Sequence, residues 1–257
     1  MELLNSNIIG EGEKNLLILH GFLGMGDNWK THAKNLAENG YCVHLIDQRN
    51  HGRSFWSVDF SYKFMIEDLK YYMDYHQISS AIVLGHSMGG KTAMNFALRY
   101  SKLVEKLIIV DISPKYYAPH HQNILAGLAS LDFQVIRSRK EAEEQLTHYI
   151  NDFGIRKFLL KNLHWLDNGK LGLRINIEVL KNSGEAIGQA VNSDKVFDKP
   201  TLFMIGSDSN YVEKSVDYHM ITSYFLKIEI IEIKGAGHWL HAEQPKLFID
   251  NLSSWLG

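Results

Sequence analysis

A single cysteine, Cys42, stands among the 257 residues, so no internal disulfide can form and the fold must hold without one. Cys42 lies in an apolar run with Tyr41, Val43, Leu45 and Ile46, where a thiol is expected to be buried and inert, as suits a reducing compartment. A basic excess is also missing. The 27 Lys and Arg are balanced by 29 Asp and Glu, with no basic block, which argues against a general nucleic-acid or acidic-membrane binder. Nowhere do about 18 apolar residues run together, as a membrane span requires. The stretch from Met1 to Asn15 lacks the basic start and apolar core of a secretory leader, so a cytoplasmic protein is expected. Internal repeats and low-complexity tracts are absent too.

What is present is a chain with 45% hydrophobic and 22% charged residues, the make-up of a globular protein with a large core. Asn15–His20 is a short apolar run that stops at Gly21, the pattern of a strand buried on both faces of a parallel sheet. A helix follows, capped by Asp27 or Asn28, with Trp29, Ala33, Leu36 and Ala37 on one face and Gly40 at its end. Further buried strands are read at Cys42–Ile46, Ala81–Leu84, Leu107–Val110, Thr201–Ile205 and Ile228–Ile233. Between them fall helices: one opened by Ser61 with Met65, Ile66, Leu69 and Tyr72, one after Ser87 with Ala93, Phe96, Ala97 and Tyr100, and one around Tyr211–Tyr224. A last helix starts near Pro245 and is expected to bury Leu247, Phe248, Leu252 and Trp255.

Strand and helix alternate, so the fold class is α/β, with a mainly parallel, doubly wound sheet covered on both faces. The rhythm breaks between Pro114 and Lys199, where helices follow one another with no clear strand. The clearest of them starts in a capping box, Ser138 with Glu141, and carries Ala142, Leu146 and Ile150. We read residues 1–113 and 200–257 as the core and 114–199 as an inserted helical cap.

Gly85-His86-Ser87-Met88-Gly89 is a Gly-x-Ser-x-Gly between a strand and a helix, where a sharp turn lifts the Ser87 hydroxyl clear of the sheet. A serine hydroxyl is a weak nucleophile at neutral pH and needs a base, oriented in turn by a carboxylate. Thirteen histidines compete for that role. His238 follows the last strand in a Gly-rich loop and can reach over the same sheet edge. His86 adjoins the nucleophile across a turn that points neighbours apart. His20 and His51 sit at strand ends as loop supports, and His241 either lines the mouth of the site or caps the last helix. A metal reading of His120 and His121 lacks further ligands at recognisable spacing. Two backbone N–H groups would hold the oxyanion, those of Met88 and of Phe22 in the loop His20-Gly21-Phe22-Leu23-Gly24. That loop lacks the Gly-Lys-Ser/Thr ending of a nucleotide-binding loop and the glycine spacing of a dinucleotide site.

Together, His20–Gly24, Asp47-Gln48-Arg49-Asn50-His51-Gly52-Arg53-Ser54, the Ser87 elbow and Gly237-His238-Trp239 resemble the α/β-hydrolase superfamily, in order and over nearly the whole chain. Asn50-His51-Gly52, Val110-Asp111-Ile112-Ser113-Pro114 and His238-Trp239-Leu240-His241-Ala242-Glu243 are similar to the YbfF-type bacterial esterases. The resemblance implies an α/β-hydrolase fold. It also implies hydrolysis of carboxylic esters or acyl thioesters, with no metal or organic cofactor; the expected partner is the small acyl substrate, and the oligomeric state is left open.

The orienting acid has two candidates. In most of the superfamily it lies in the loop Gly206–Val212, yet the usual position there falls on Ser209, with Asp208 one residue out of register. The YbfF-type esterases similarly carry serine at that place and are thought to take the acid from the end of the preceding strand, here Asp111. Asp111 is favoured, with Ser209 as an auxiliary hydrogen-bond partner and Asp208 as the alternative. Asp47 is read as a brace for the next turn with Arg49 or Arg53.

These residues predict acyl transfer through an acyl-enzyme on Ser87, with small to medium acyl chains. Dehalogenases and epoxide hydrolases are disfavoured, because they resemble this chain but carry Asp where Ser87 stands. Cofactor-free haloperoxidase-like and carbon–carbon bond hydrolases, and a non-catalytic receptor on the same fold, are the alternatives. Trp239, Tyr116, Phe22, Phe153, Phe158, Leu159 and Trp165 are the candidates to line an apolar substrate channel, against the plainer role of packing the cap.

Overall fold

The apolar runs form the spine of the computed structural model, which describes residues 2–257. The first half of the chain contains β1 (Ser6–Ile9), β2 (Lys14–Leu19), α1 (Lys30–Glu38), β3 (Tyr41–Ile46), α2 (Tyr62–Tyr75), β4 (Ala81–His86), α3 (Met88–Arg99) and β5 (Val104–Val110). Next come α4 (Gln122–Ala129), α5 (Arg139–Thr147), α6 (Phe153–Leu160), β6 (Leu163–Trp165), β7 (Leu171–Leu173), α7 (Ile177–Leu180) and α8 (Gly184–Gly188). The chain closes with β8 (Phe197–Gly206), α9 (Lys214–Tyr224), β9 (Phe225–Ile233), α10 (Leu240–Glu243) and α11 (Pro245–Leu256).

Seven strands make one sheet in the order β1-β3-β2-β4-β5-β8-β9. β1 runs antiparallel to β3, and every other neighbouring pair is parallel. Alternation along the strands sorts their side chains between two cores. Leu17, Leu19, Val83, Leu107, Ile109, Phe203 and Ile205 pack with α2 and α3 through Leu69, Tyr72, Phe96 and Ala97. Leu16, Ile18, Ile82, Leu84, Ile108, Val110, Leu202 and Met204 pack with α1 and α11 through Ala33, Leu36, Phe248 and Leu252. The sheet is thus covered on both faces, which is why its central strands are apolar throughout.

A third apolar cluster joins Phe22, Leu23 and Met88, which follow β2 and β4, to Leu125, Leu128, Leu146, Leu159 and Leu180 of the β5–β8 segment. That segment therefore packs over the carboxyl edge of the sheet, where strand-end loops gather. Ser138 accepts the Glu141 N–H at the start of α5, as the capping pattern predicted.

Several sequence expectations need correction, among them Cys42, which is half-buried rather than buried, and α1, whose N-cap is Trp29 rather than Asp27 or Asn28. β1 was not anticipated, because Ser6-Asn7-Ile8-Ile9 is short, polar at one end and only partly buried at the sheet edge. The β5–β8 segment is not wholly helical, since β6 and β7 form a small antiparallel hairpin of three residues each, too short to show periodicity. α9 starts at Lys214, several residues after Tyr211. Leu247 on α11 is 44% exposed, while Phe248 and Leu252 carry the burial. Among the described residues no helix is long and apolar enough to cross a membrane.

Candidate active site

β4 runs straight into α3 through Ser87, whose backbone adopts φ 53° and ψ −117°, a conformation that side-chain-bearing residues rarely take. Two close approaches make the turn possible. A Cβ on Gly85 would lie 2.2 Å from Gly89 O, and one on Gly89 would lie 2.2 Å from Leu19 O. The Ser87 N–H donates to Val110 O at 3.0 Å, which anchors the turn to β5. Ser87 is partly exposed, and its side chain faces the cavity described below. Leu23, Asn50 and Asp111 also have positive φ, so most of the strained non-glycine backbone gathers on this edge, as it does at functional sites.

Among the described residues, the Phe22 and Met88 N–H groups find no protein acceptor. Met88 is the first residue of α3, where amide protons have no partner within the helix. The loop that carries Phe22 is held from below by two histidines. The Gln48 N–H donates to His20 Nε2 at 3.0 Å, so His20 holds its proton on Nδ1 and donates to Gly21 O at 2.8 Å. Likewise the Leu23 N–H donates to His51 Nε2 at 3.2 Å, and His51 Nδ1 lies 2.9 Å from Arg49 O. Burial lowers His20 to about 4 and His51 to about 3, so both are neutral supports. Asp47 braces the neighbouring turn through the backbone N–H groups of Gly26 and Arg53. The Arg49 guanidinium turns instead to buried Asp68.

His238 sits in the loop after β9. The Glu243 carboxylate accepts the N–H groups of Gly237 and Trp239 on either side of it, and His86 Nε2 donates to the His238 carbonyl at 2.9 Å. His238 Nδ1 donates to Asp111 Oδ2 at 2.8 Å, which leaves Nε2 as the basic nitrogen. Asp111 stands at the end of β5, 0% exposed at its side chain. Its Oδ1 accepts the Gly206 N–H at 3.1 Å, and its Oδ2 also accepts the Ser209 hydroxyl. Asp208 is exposed and accepts from Ser207; it does not meet His238.

Burial pushes the His238 imidazole below its ordinary 6.5, with His120 adding to the effect. Burial raises the Asp111 carboxyl, opposed by its bonds to Ser209 and Gly206. His238 is therefore neutral, and able to take a proton, at pH 7. Its ring stacks on Tyr211 at 3.6 Å, and the Tyr211 hydroxyl lies 2.7 Å from His120 Nε2. The Ser87 hydroxyl and His238 line the same cavity, where a bond between nucleophile and base commonly tightens on substrate binding.

The cavity has a volume of about 270 Å³ and is lined by Phe22, Leu23, Trp29, Ser87, Ile155, Phe158, Leu159, His238 and Trp239, among others. A second, smaller space of about 30 Å³ also touches Ser87; it shares Phe22, His120, His121 and Tyr211 with the large cavity and is further lined by Tyr62, Met88, Ile112, Tyr117 and Ile187. Of the expected channel residues, Trp239, Phe22, Phe158 and Leu159 line the large cavity. Tyr116 does not; it is 50% exposed and bonds Glu185. Phe153 and Trp165 are each 59% exposed, Phe153 lying under Arg156 and Lys157. His241 is buried and stacks on Trp29 at 4.0 Å along the cavity wall. Sequence reasoning missed Tyr211, Tyr62, Tyr117 and Glu243, whose roles depend on contacts between distant segments. Glu243 alone carried a signal, as an acidic residue shortly after His238.

A family model described as alpha/beta hydrolase fold matches residues 14–147, and the chain belongs to that family. It is 38% identical over 256 residues to the sn-1-specific diacylglycerol lipase ABHD11 of Danio rerio, covering 96% of this chain and 80% of that protein. It is 31% identical over 247 residues to Esterase YbfF of Escherichia coli (strain K12), covering 94% and 92%. A solved structure titled marine microorganism esterase superposes with TM-score 0.94 at 40% identity, over 98% of both chains. Within the family, the chain is an ester-hydrolysing enzyme of the carboxylesterase type.

Proposed function

We propose that the protein is a serine esterase that cleaves carboxylic esters through an acyl-enzyme on Ser87. The observation that carries this reading is the 2.8 Å bond from His238 Nδ1 to Asp111, with His238 and Ser87 in one cavity. Ser87 Oγ attacks the ester carbonyl carbon as His238 Nε2 takes its proton. The oxygen that becomes negative is held by the Phe22 and Met88 N–H groups. The carbon–oxygen bond to the alcohol then breaks, and His238 returns the proton to the leaving oxygen. Water, deprotonated by His238, attacks the acyl-Ser87 ester, frees the carboxylic acid and restores the Ser87 hydroxyl.

Asp111 keeps the His238 proton on Nδ1 and stabilises the imidazolium that forms, with Ser209 fixing the carboxylate. Residues 114–199 act as a cap whose α6, through Phe158 and Leu159, helps wall the substrate site. A thioester follows the same steps with a thiolate leaving. No Lys or Arg lines the large cavity, and this favours neutral esters over thioesters of phosphate-bearing carriers.

Wild type and Ser87→Ala, purified together and assayed on p-nitrophenyl esters and acyl-CoA thioesters, test the reading. We expect ester turnover that drops by at least about 10⁴-fold in the variant. An unchanged rate in folded Ser87→Ala would sink the proposal.

A further inference from the structure

We infer that Ser87 divides its substrate unequally, with the leaving alcohol in the large cavity and the acyl chain in the small one, so that the enzyme prefers short alkanoyl esters of bulky apolar alcohols. This rests on the acyl-enzyme reading and adds to it a direction for each half of the ester.

The direction follows from the tetrahedral intermediate, whose carbon carries four groups. One is Ser87 Oγ. The second is the oxyanion, held at the Phe22 and Met88 amides. The third is the leaving oxygen, which must receive its proton from His238 and so lies on the His238 side. His238 lines the large cavity and is not part of the small one. The acyl chain is the fourth group, and we assign it to the other space that Ser87 and Met88 touch, bounded by Tyr62, Ile112, Tyr117 and Ile187.

The two spaces differ greatly in size, about 270 Å³ against about 30 Å³. The smaller has room for about two or three water-sized groups, which suits acyl chains from acetyl to butanoyl. Its walls are tied in place. Tyr62 Oη donates to Ile187 O at 2.7 Å, and Tyr117 Oη donates to Tyr211 O at 2.6 Å. Widening the pocket by turning either ring would break one of these bonds, and spending both hydroxyls on the wall leaves that wall apolar, while His120 and His121 line another part of the space. The large cavity, walled by Leu23, Trp29, Ile155, Phe158 and Trp239, accepts an extended apolar alcohol.

Two ester series on the purified full chain test this. One lengthens the acyl group from acetyl to octanoyl on a fixed naphthyl alcohol, and the other enlarges the alcohol from ethyl to naphthyl on a fixed acetyl group. We expect kcat/KM to fall at least roughly tenfold between butanoyl and octanoyl, and to hold or rise as the alcohol grows. Ile187→Ala should move the acyl limit up by about two carbons, and Ile112→Val, a milder opening of the same wall, should move it the same way if Ile187→Ala does not fold. Phe158→Ala should change how kcat/KM depends on alcohol size and leave the acyl-length limit where it is. Octanoyl esters cleaved as well as butanoyl ones, or a Phe158→Ala shift of the acyl-length limit instead, would overturn the assignment. A fluorophosphonate label read by peptide mass separates the two failures. No label on Ser87 means the acyl-enzyme reading has failed, whereas a labelled Ser87 with reversed preferences means only that the halves were assigned the wrong way round.

Discussion

Asp111 and Asp208 differ in what surrounds each carboxylate, and that difference is what a substitution reads. Asp111 is buried and receives His238 Nδ1, the Ser209 hydroxyl and the Gly206 amide. Asp208 receives only its neighbour Ser207 at the surface. Asp111→Asn keeps the shape but offers His238 a partner that no longer fixes the Nδ1 proton, so kcat should drop by about 10⁴-fold. Asp208→Asn should stay within about twofold by the same steady-state assay; a large loss there with Asp111→Asn unaffected would move the acid to Asp208. The His238 pKa makes a second prediction. Only the deprotonated imidazole is a base, so kcat/KM rises with pH as His238 loses its proton. Since burial lowers that pKa, the rise should be centred below 6.5 and the profile level through pH 7. A midpoint above 7 would show that the Asp111 carboxylate outweighs burial.

At the scale of elements, the turn from β4 to α3 depends on how closely the backbones of β2 and α3 approach. A methyl group on Gly89 would sit 2.2 Å from Leu19 O and 2.6 Å from His20 O. Neither carbonyl is a flexible side-chain end, and β2 is pinned between β3 and β4. Gly89→Ala should therefore cost about 3 kcal/mol or more in a denaturant titration, together with activity, because the same shift moves Phe22 and Ser87. The loop after β9 is less constrained. Glu243 joins Gly237 to Trp239 from an exposed position, so it orients His238 without contributing much to the core.

For the whole molecule, acid stability is set by buried neutral histidines. Burial lowers His20 and His44 to about 4 and His51 and His86 to about 3. The unfolded chain binds these protons near pH 6.5 and the fold does not, so stability is complete above 6.5 and is lost as pH falls toward 4. Each group contributes up to about 1.4 kcal/mol per pH unit within that window. The carboxyls of Asp68 and Asp111, raised by burial, act in the opposite sense, but they are fewer. Thermal melts from pH 7.5 to 4.5 should show Tm falling once pH drops below 6.5. A flat curve across that range would contradict it.

Residues close together in the chain carried much of the reading. Apolar runs of strand length, the Gly-x-Ser-x-Gly turn and the glycine loop before His238 are local patterns, and local patterns suffice to predict alternating β and α elements and to single out Ser87 and His238. What the sequence could not express is which distant residues meet. Asp111 and His238 are 127 positions apart, and the choice between Asp111 and Asp208 rests on where β5 and β8 end relative to one another in the sheet. Tyr116 and Tyr117 are neighbours with similar side chains, yet one is exposed and the other packs beside Tyr211. The two spaces that meet at Ser87, and with them the proposed division of the ester, exist only because the β5–β8 segment folds back over the carboxyl edge of the sheet, since a cavity is made by surfaces brought together from separate parts of the chain.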